Sequence, residues 1–397
     1  DNDGDGLDDT ADPDCYAATD PREDACSDGS AYCERWCVAR EGDAVRCVAF
    51  DDPQWLATMA RTWQPKHGLC RAAADPNQCM SIDAARGASA DSAGALRLEN
   101  PLDLNREMAR SGSLPIQFND DGVSSQFGLG SDFWVQYDMR VDQPWIDHLS
   151  PKQIYINEGD QADWRTCVKN WSKNQCAASC TDMEIVAQES SNLNYYDLYH
   201  GCPGPQGNKR FQYKDSTTAD GNPACGRGGY EFRRQLVDGL CCSNDPSDCV
   251  YFRAGEWFRY WMHVTVGPDW DAADDRVEVF IRRPGDTARV RVVDSDVSGA
   301  FGDKFRSRLR NCGYCSTDSA KKCWTSDDCG AGQCVDRQRC GGGNGTGSGE
   351  YGKIWINNRS KLHGTPAPGA VAYAWYDNLT ISRGDPGDSA VEPRSAP

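Results

Sequence analysis

Apolar and polar residues alternate with a period of two through three stretches of the chain. In FWVQYDMRV, Phe133, Val135, Tyr137, Met139 and Val141 share one face, and Trp134, Gln136, Asp138 and Arg140 share the other. That is the pattern of a strand with one side in a core. In the stretch GEWFRYWMHVTVG, Phe258, Tyr260, Met262, Val264 and Val266 alternate with Trp257, Arg259, Trp261, His263 and Thr265. RVEVFIRR and ARVRVVD follow as two further strands around the turn signal Pro284-Gly285-Asp286. KQIYINEGD, YGKIWIN and AVAYAWYDNLTIS add three more. Helical periodicity is confined mainly to DPQWLATMARTW in the N-terminal third. Many alternating strands with little helix predict an all-β chain, an antiparallel jelly-roll β-sandwich.

The cysteines divide this scaffold. Of 21, seven lie between Cys15 and Cys79, eight between Cys167 and Cys249, and six between Cys312 and Cys340, while 80–166 and 250–311 have none. The strand patterns fall in and after those gaps, so the cysteine groups read as disulfide-rich loop insertions. The resulting division is an acidic repeat at 1–15, a small irregular cysteine-rich region with a short helix at 16–94, a sandwich at 95–385 with insertions at 167–249 and 312–340, and a tail at 386–397. The run GGGNGTGSG from Gly341 is flexible by composition. Only one CxxC occurs, Cys312 to Cys315, with five histidines in the whole chain, so disulfides explain the cysteines better than zinc. Such cysteine usage predicts a secreted, extracellular protein. An odd cysteine count leaves at least one thiol free or paired between chains, which predicts self-association.

A formal net charge of −18 opposes phosphate and argues against nucleic acid as a partner. No apolar run approaches the length of a membrane helix, so no membrane span is expected. Asn170, Asn344, Asn358 and Asn378 satisfy the N-x-S/T pattern and are candidate glycosylation sites. The opening DNDGDGLDDTAD sets Asp1, Asp3, Asp5, Asp9 and Asp12 at the offsets of an EF-hand-type loop, with Gly6 at the turn and the Leu7 carbonyl as a backbone ligand. These residues predict a structural Ca2+ site. The string, closed by Cys15, resembles one thrombospondin type 3 repeat, with Asp12 where a full EF-hand has Glu.

The strands FWVQYDMRV, KQIYINEGD, GEWFRYWMHVTVG, YGKIWINNR and AYAWYDNLTISR together resemble the concanavalin A-like jelly roll of the polysaccharide lyases, the alginate-lyase kind especially. The resemblance implies a concave sheet with a groove for an acidic or neutral polysaccharide. On KQIYIN, Gln153, Tyr155 and Asn157 would face that groove; on YGKIWIN, Tyr351, Lys353, Trp355 and Asn357 would do so, with Trp134 and Arg140 joining from a neighbouring strand. Aromatic faces stack on sugar rings, and cations pair with uronate carboxylates. Lyases of this kind also need a base and an acid for β-elimination. Here the family's Gln-Ile-His reads Gln153-Ile154-Tyr155, and the later tyrosine of its Tyr-x-Lys strand falls on Asn357. His200 or His263 would substitute only if folding brought it to the groove.

No ExDxxE cluster, GxSxG or HExxH occurs, which sets aside laminarinase-like glycosidase, serine hydrolase and metalloprotease chemistry. Three classes follow. One is a non-catalytic glycan-binding protein, another an active polysaccharide lyase, and the third a structural subunit of an extracellular fibre or coat. A plainer alternative is that Trp134, Tyr155 and Trp355 simply fill a sandwich surface covered by the cysteine-rich loops.

Overall fold

The structure is a computed structural model that describes residues 44–51, 80–88, 92, 94–102, 109–118, 127–158, 184–189, 196–200, 236–237, 240–241, 250–268, 276–294, 313–323, 329–335 and 351–387. In chain order these form β1 (Ala44–Val48), β2 (Met80–Ile82), β3 (Leu96–Pro101), β4 (Ala109–Gln117), β5 (Asp132–Val141), α1 (Gln143–His148), β6 (Leu149–Glu158), β7 (Glu184–Glu189), β8 (Tyr196–His200), β9 (Leu236–Val237), β10 (Leu240–Cys241), β11 (Trp257–Thr265), β12 (Arg276–Arg282), β13 (Val290–Asp294), β14 (Gly313–Cys315), β15 (Asp318–Cys323), β16 (Cys334–Val335), β17 (Tyr351–Leu362) and β18 (Val371–Ser382).

The expected all-β sandwich is what forms. An eight-stranded sheet runs β13-β12-β11-β5-β18-β3-β2, with β1 also paired to β18, and a five-stranded sheet runs β4-β17-β6-β7-β8. Their pairings are antiparallel. One core joins them: Phe133, Val135, Tyr137, Phe258, Tyr260 and Val279 come from the larger sheet, and Ile116, Ile154, Ile156, Ile185 and Ile354 from the smaller. The residues that alternation assigned inward on β5 and β11 are all buried in this core. Each such large side chain contributes about 1.5–3 kcal/mol relative to exposure.

The chain passes from one sheet to the other through α1. Asp142 caps this helix, its carboxylate accepting from the Trp145 amide at 2.9 Å, and Trp145 enters the core edge-on to Phe252 at 5.3 Å between centroids. The turn between β12 and β13 closes as its sequence predicts, with Gly285 at φ 84 and the Arg283 amide donating to the Asp286 carboxylate at 2.7 Å.

Several strands lie where loops were expected. β7 and β8 fall inside the 167–249 segment yet extend the five-stranded sheet, and β1 and β2 fall inside the 16–94 region yet join the larger one. They are short, and three to six residues among cysteines give alternation little room to show. The acidic repeat, the expected helix at 52–63 and the glycine run lie outside the described residues. Cys315 is disulfide-bonded to Cys329 rather than to its CxxC neighbour Cys312, and Cys47 is also disulfide-bonded. No helix among the described residues is long and apolar enough to cross a membrane.

Candidate functional site

The outer face of the five-stranded sheet gathers four of the sequence-derived groove residues. β17 pairs with β6 so that Trp355 stands opposite Tyr155 and Lys353 opposite Asn157. Tyr155 and Trp355 pack on each other, Trp355 also touching the main core, and the Lys353 ammonium lies 5.6 Å from the Trp355 ring centroid. Gln153 precedes Ile154 at a point where β6 carries one extra residue against β7. The pleat turns it away from the core that Ile154 enters. Its side chain is 0% exposed, and among the described residues neither its amide nitrogen nor its amide oxygen has a hydrogen-bond partner. The Trp355 indole nitrogen is likewise buried without an acceptor. A buried amide without partners costs about 1–3 kcal/mol, so such a group calls for an occupant or a role.

Three of the expected groove residues are elsewhere. Tyr351 belongs to the core: β17 has an extra residue between Tyr351 and Lys353 relative to β6, which reverses the alternation and sets Tyr351 against Phe133 at 5.5 Å between centroids. Trp134 and Arg140 do lie on the outward side of β5, but β5 pairs with β11 and β18 in the eight-stranded sheet. Their face is therefore on the opposite side of the sandwich from Gln153 and Trp355. Asn157 and Asn357 keep their register positions on β6 and β17, with Asn357 opposite Ser113 of β4.

Neither histidine of interest lies on β6 or β17. His200 pairs in register with Ile185 on β8, the edge strand two places from β6. His263 is on β11, where its ring stacks on Trp134 at 4.3 Å and bridges two carboxylates: Nε2 to Asp132 Oδ1 at 2.7 Å, and Nδ1 to Glu278 Oε2 at 3.1 Å. Burial opposes its charge, yet the hydrogen bonds to Glu278 and Asp132 outweigh it and raise the imidazole above its ordinary value. With a carboxylate at each nitrogen, the ring ties β5, β11 and β12 together.

The rest of that outer face is a dense polar network that sequence reading did not single out. Arg259 forks onto Asp138 through Nε at 2.7 Å and Nη2 at 2.6 Å, and Asn378 Nδ2 donates to the same carboxylate at 2.7 Å. Asp377 is fully buried and accepts from the Ala88 amide at 2.7 Å, the Ser92 hydroxyl at 2.6 Å and the Asn378 amide at 2.8 Å. Burial, with Asp51 nearby, pushes its carboxyl well above the usual range. A bulge between Asp377 and Thr380, with Asn378 at φ 52, makes room for these two adjacent polar residues inside β18. The signal was present: Asp377-Asn378 breaks the alternation of an otherwise strict strand. Asn378 is 0% exposed, so its sequon is closed in the folded chain. Asn170 and Asn344, like the six proposed calcium ligands, lie outside the described residues. Among the described residues no three His, Cys, Asp or Glu side chains come together to hold a metal.

No family model matches the chain, and no curated protein matches it. Among solved structures it is similar to the PL-14 alginate lyase of Aplysia kurodai, at 11% identity and a TM-score of 0.47 over 86% of this chain and 100% of that one. It is also similar to the endo-β-1,4-glucuronan lyase of Trichoderma reesei, at 11% identity and a TM-score of 0.36 over 78% and 90%. A third is the GH131 β-glucanase catalytic domain of Podospora anserina, at 8% identity and a TM-score of 0.34 over 87% and 99%.

Proposed function

We propose that this chain is a secreted, disulfide-braced and calcium-stabilised protein that binds an acidic polysaccharide on the outer face of its five-stranded sheet, without lyase turnover. One observation carries the reading: the Gln153 amide is buried with both its atoms unpaired, on the same face as Lys353, Trp355 and Tyr155. A primary amide offers donors to a uronate carboxylate and an acceptor to a neighbouring hydroxyl. The Lys353 ammonium supplies the counter-charge, and the indole and phenol rings supply the apolar surface that sugar rings stack on. Calcium would be held by Asp1, Asp3, Asp5, Asp9 and Asp12 with the Leu7 carbonyl. Self-association through an unpaired cysteine would make the chain a subunit of an extracellular fibre or coat.

Lyase chemistry is the competing reading, and the position of the histidines weighs against it. His263 is engaged by two carboxylates on the other sheet, and Tyr155 stands where the alginate-lyase pattern has histidine. The experiment is retention of the intact chain on immobilised polyglucuronate and alginate, with Gln153→Leu and Trp355→Ala variants beside it. Retention of the native chain and its loss in both variants is expected. Unchanged retention in both variants, or none in the native chain, rejects the site. Unsaturated product, read by its ultraviolet absorbance, would convert the reading to a lyase.

A further inference from the structure

On the outer face of the eight-stranded sheet, Arg97, Trp375, Arg140 and Trp257 stand directly opposite one another across β3, β18, β5 and β11. The Arg140 guanidinium lies 5.6 Å from the Trp375 ring centroid, and Arg86, from the turn after β2, lies 5.2 Å from the same ring. Arg97 lies 5.7 Å from Tyr373, whose ring stacks on Trp375 at 5.8 Å. Arg86 is partnered by Asp83 at 3.3 Å, and Asp83 also accepts from the Trp375 indole at 3.0 Å.

Arg97 and Arg140 have no such partner. Among the described residues neither forms a hydrogen bond or an ion pair, and the Nε of each is buried without an acceptor. They flank Trp375 from the two adjacent strands, which sets their backbones roughly 10 Å apart, two strand spacings. Burial, and then the Arg86 cation, pull the Arg140 guanidinium below its ordinary value. Asp83, already engaged by Arg86 and the Trp375 indole, favours the Arg140 charge from nearby, but among the described residues neither half-buried guanidinium flanking Trp375 has a salt bridge of its own. A guanidinium keeps its charge and presents a fixed fork of donors that matches an oxyanion.

We propose that this cluster is a second, anion-specific polysaccharide site. Arg97 and Arg140 fork onto a carboxylate or sulfate of the glycan, Arg86 stands at the rim, and the partly exposed Tyr373 ring takes the face of the sugar that carries the group. The site is on the side of the sandwich opposite Gln153 and Trp355. A chain occupied on both faces holds two polysaccharide strands at once and cross-links them.

The test uses the full chain carrying Gln153→Leu and Trp355→Ala, so that the first face is silenced and its fate does not enter. Calorimetric titrations are run with a glucuronan tetrasaccharide, whose anions are carboxylates, and with a heparin-derived tetrasaccharide, which adds sulfates. Binding of both assigns a carboxylate site, and binding of the second alone assigns a sulfate site. Arg97→Gln with Arg140→Gln is expected to weaken binding by at least about tenfold. The ligand-free melting temperature is expected to hold, because two like charges have been removed. Arg97→Lys with Arg140→Lys keeps the charge without the fork and is expected to lose most of the affinity. Absence of binding by either tetrasaccharide overturns the proposal. So does undiminished affinity in the double glutamine variant, with or without a fall in melting temperature, which would make the arginines braces for the indole.

Discussion

The two outer faces of the sandwich differ in how much of their buried polar chemistry is paired, although each buries a glutamine whose amide has no hydrogen-bond partner among the described residues, Gln136 on β5 and Gln153 on β6. On the eight-stranded sheet, the Asp138 carboxylate takes donors from Arg259 and Asn378, Asp377 collects three donors, and His263 joins two carboxylates. On the five-stranded sheet, Gln153 is as deeply buried, and no hydrogen-bond network reaches its amide among the described residues. A network that closes on itself contributes to holding strands together and needs nothing from outside. A buried amide that receives nothing back lowers the stability of the fold by about 1–3 kcal/mol.

The sharpest way to break this contrast is Arg259→Ala, which leaves the Asp138 carboxylate buried at 3% exposure with only Asn378 to answer it. Loss of one partner from a buried pair costs about 3–5 kcal/mol, to be read from urea unfolding. A cost under about 1 kcal/mol would mean that the network is ornamental. Asp377→Ala comes next, at about 2–3 kcal/mol, since the Ala88 and Asn378 amides both lose an acceptor in a buried setting. Because Asp377 also holds Ala88 to the sheet, limited proteolysis is expected to open the segment after β2 first.

A smaller effect is gated by pH. The His263 imidazole is raised in the folded chain, so its contribution is complete below the unfolded value of about 6.5 and is lost as the pH climbs through the folded one. Melting temperatures measured from acid to alkaline pH should show this decline, and His263→Gln should flatten it; an equal decline in the variant would remove His263 as the cause. The smallest stability change belongs to Gln153→Leu. Replacing an unpaired buried amide by an apolar side chain of similar shape should leave the fold within about 1 kcal/mol of native, on the stable side. A loss of several kcal/mol there would show that Gln153 is structural and that the two faces are alike.

Period-two alternation made the strands around the core legible. Every residue it set inward on β5 and β11 is buried, because a pleated strand with one face in a core leaves no other choice. Alternation names a face and not a sheet, which is why Trp134 and Arg140 were grouped with Gln153 although hydrogen bonding commits β5 to β11 and β18. One inserted residue at Gly352 was enough to send Tyr351 inward. Arg97 was invisible because its meaning depends on Trp375, some 280 residues on, being its cross-strand neighbour.

That long-range pairing also governs when the molecule can exist. β18 is the last described strand in the chain, yet it lies in the interior of the eight-stranded sheet, bonded to β5 along one edge and to β3 and β1 along the other. Until it has been made, β2 and β3 form one fragment and β5, β11, β12 and β13 another, each with an open edge. Pairing Ala44 with Ser382 closes a loop of more than 300 residues, which is among the slowest kinds of contact a chain can form. Folding of this sheet therefore waits until β18 has been made. A chain stopped before Val371 is expected to aggregate through those edges.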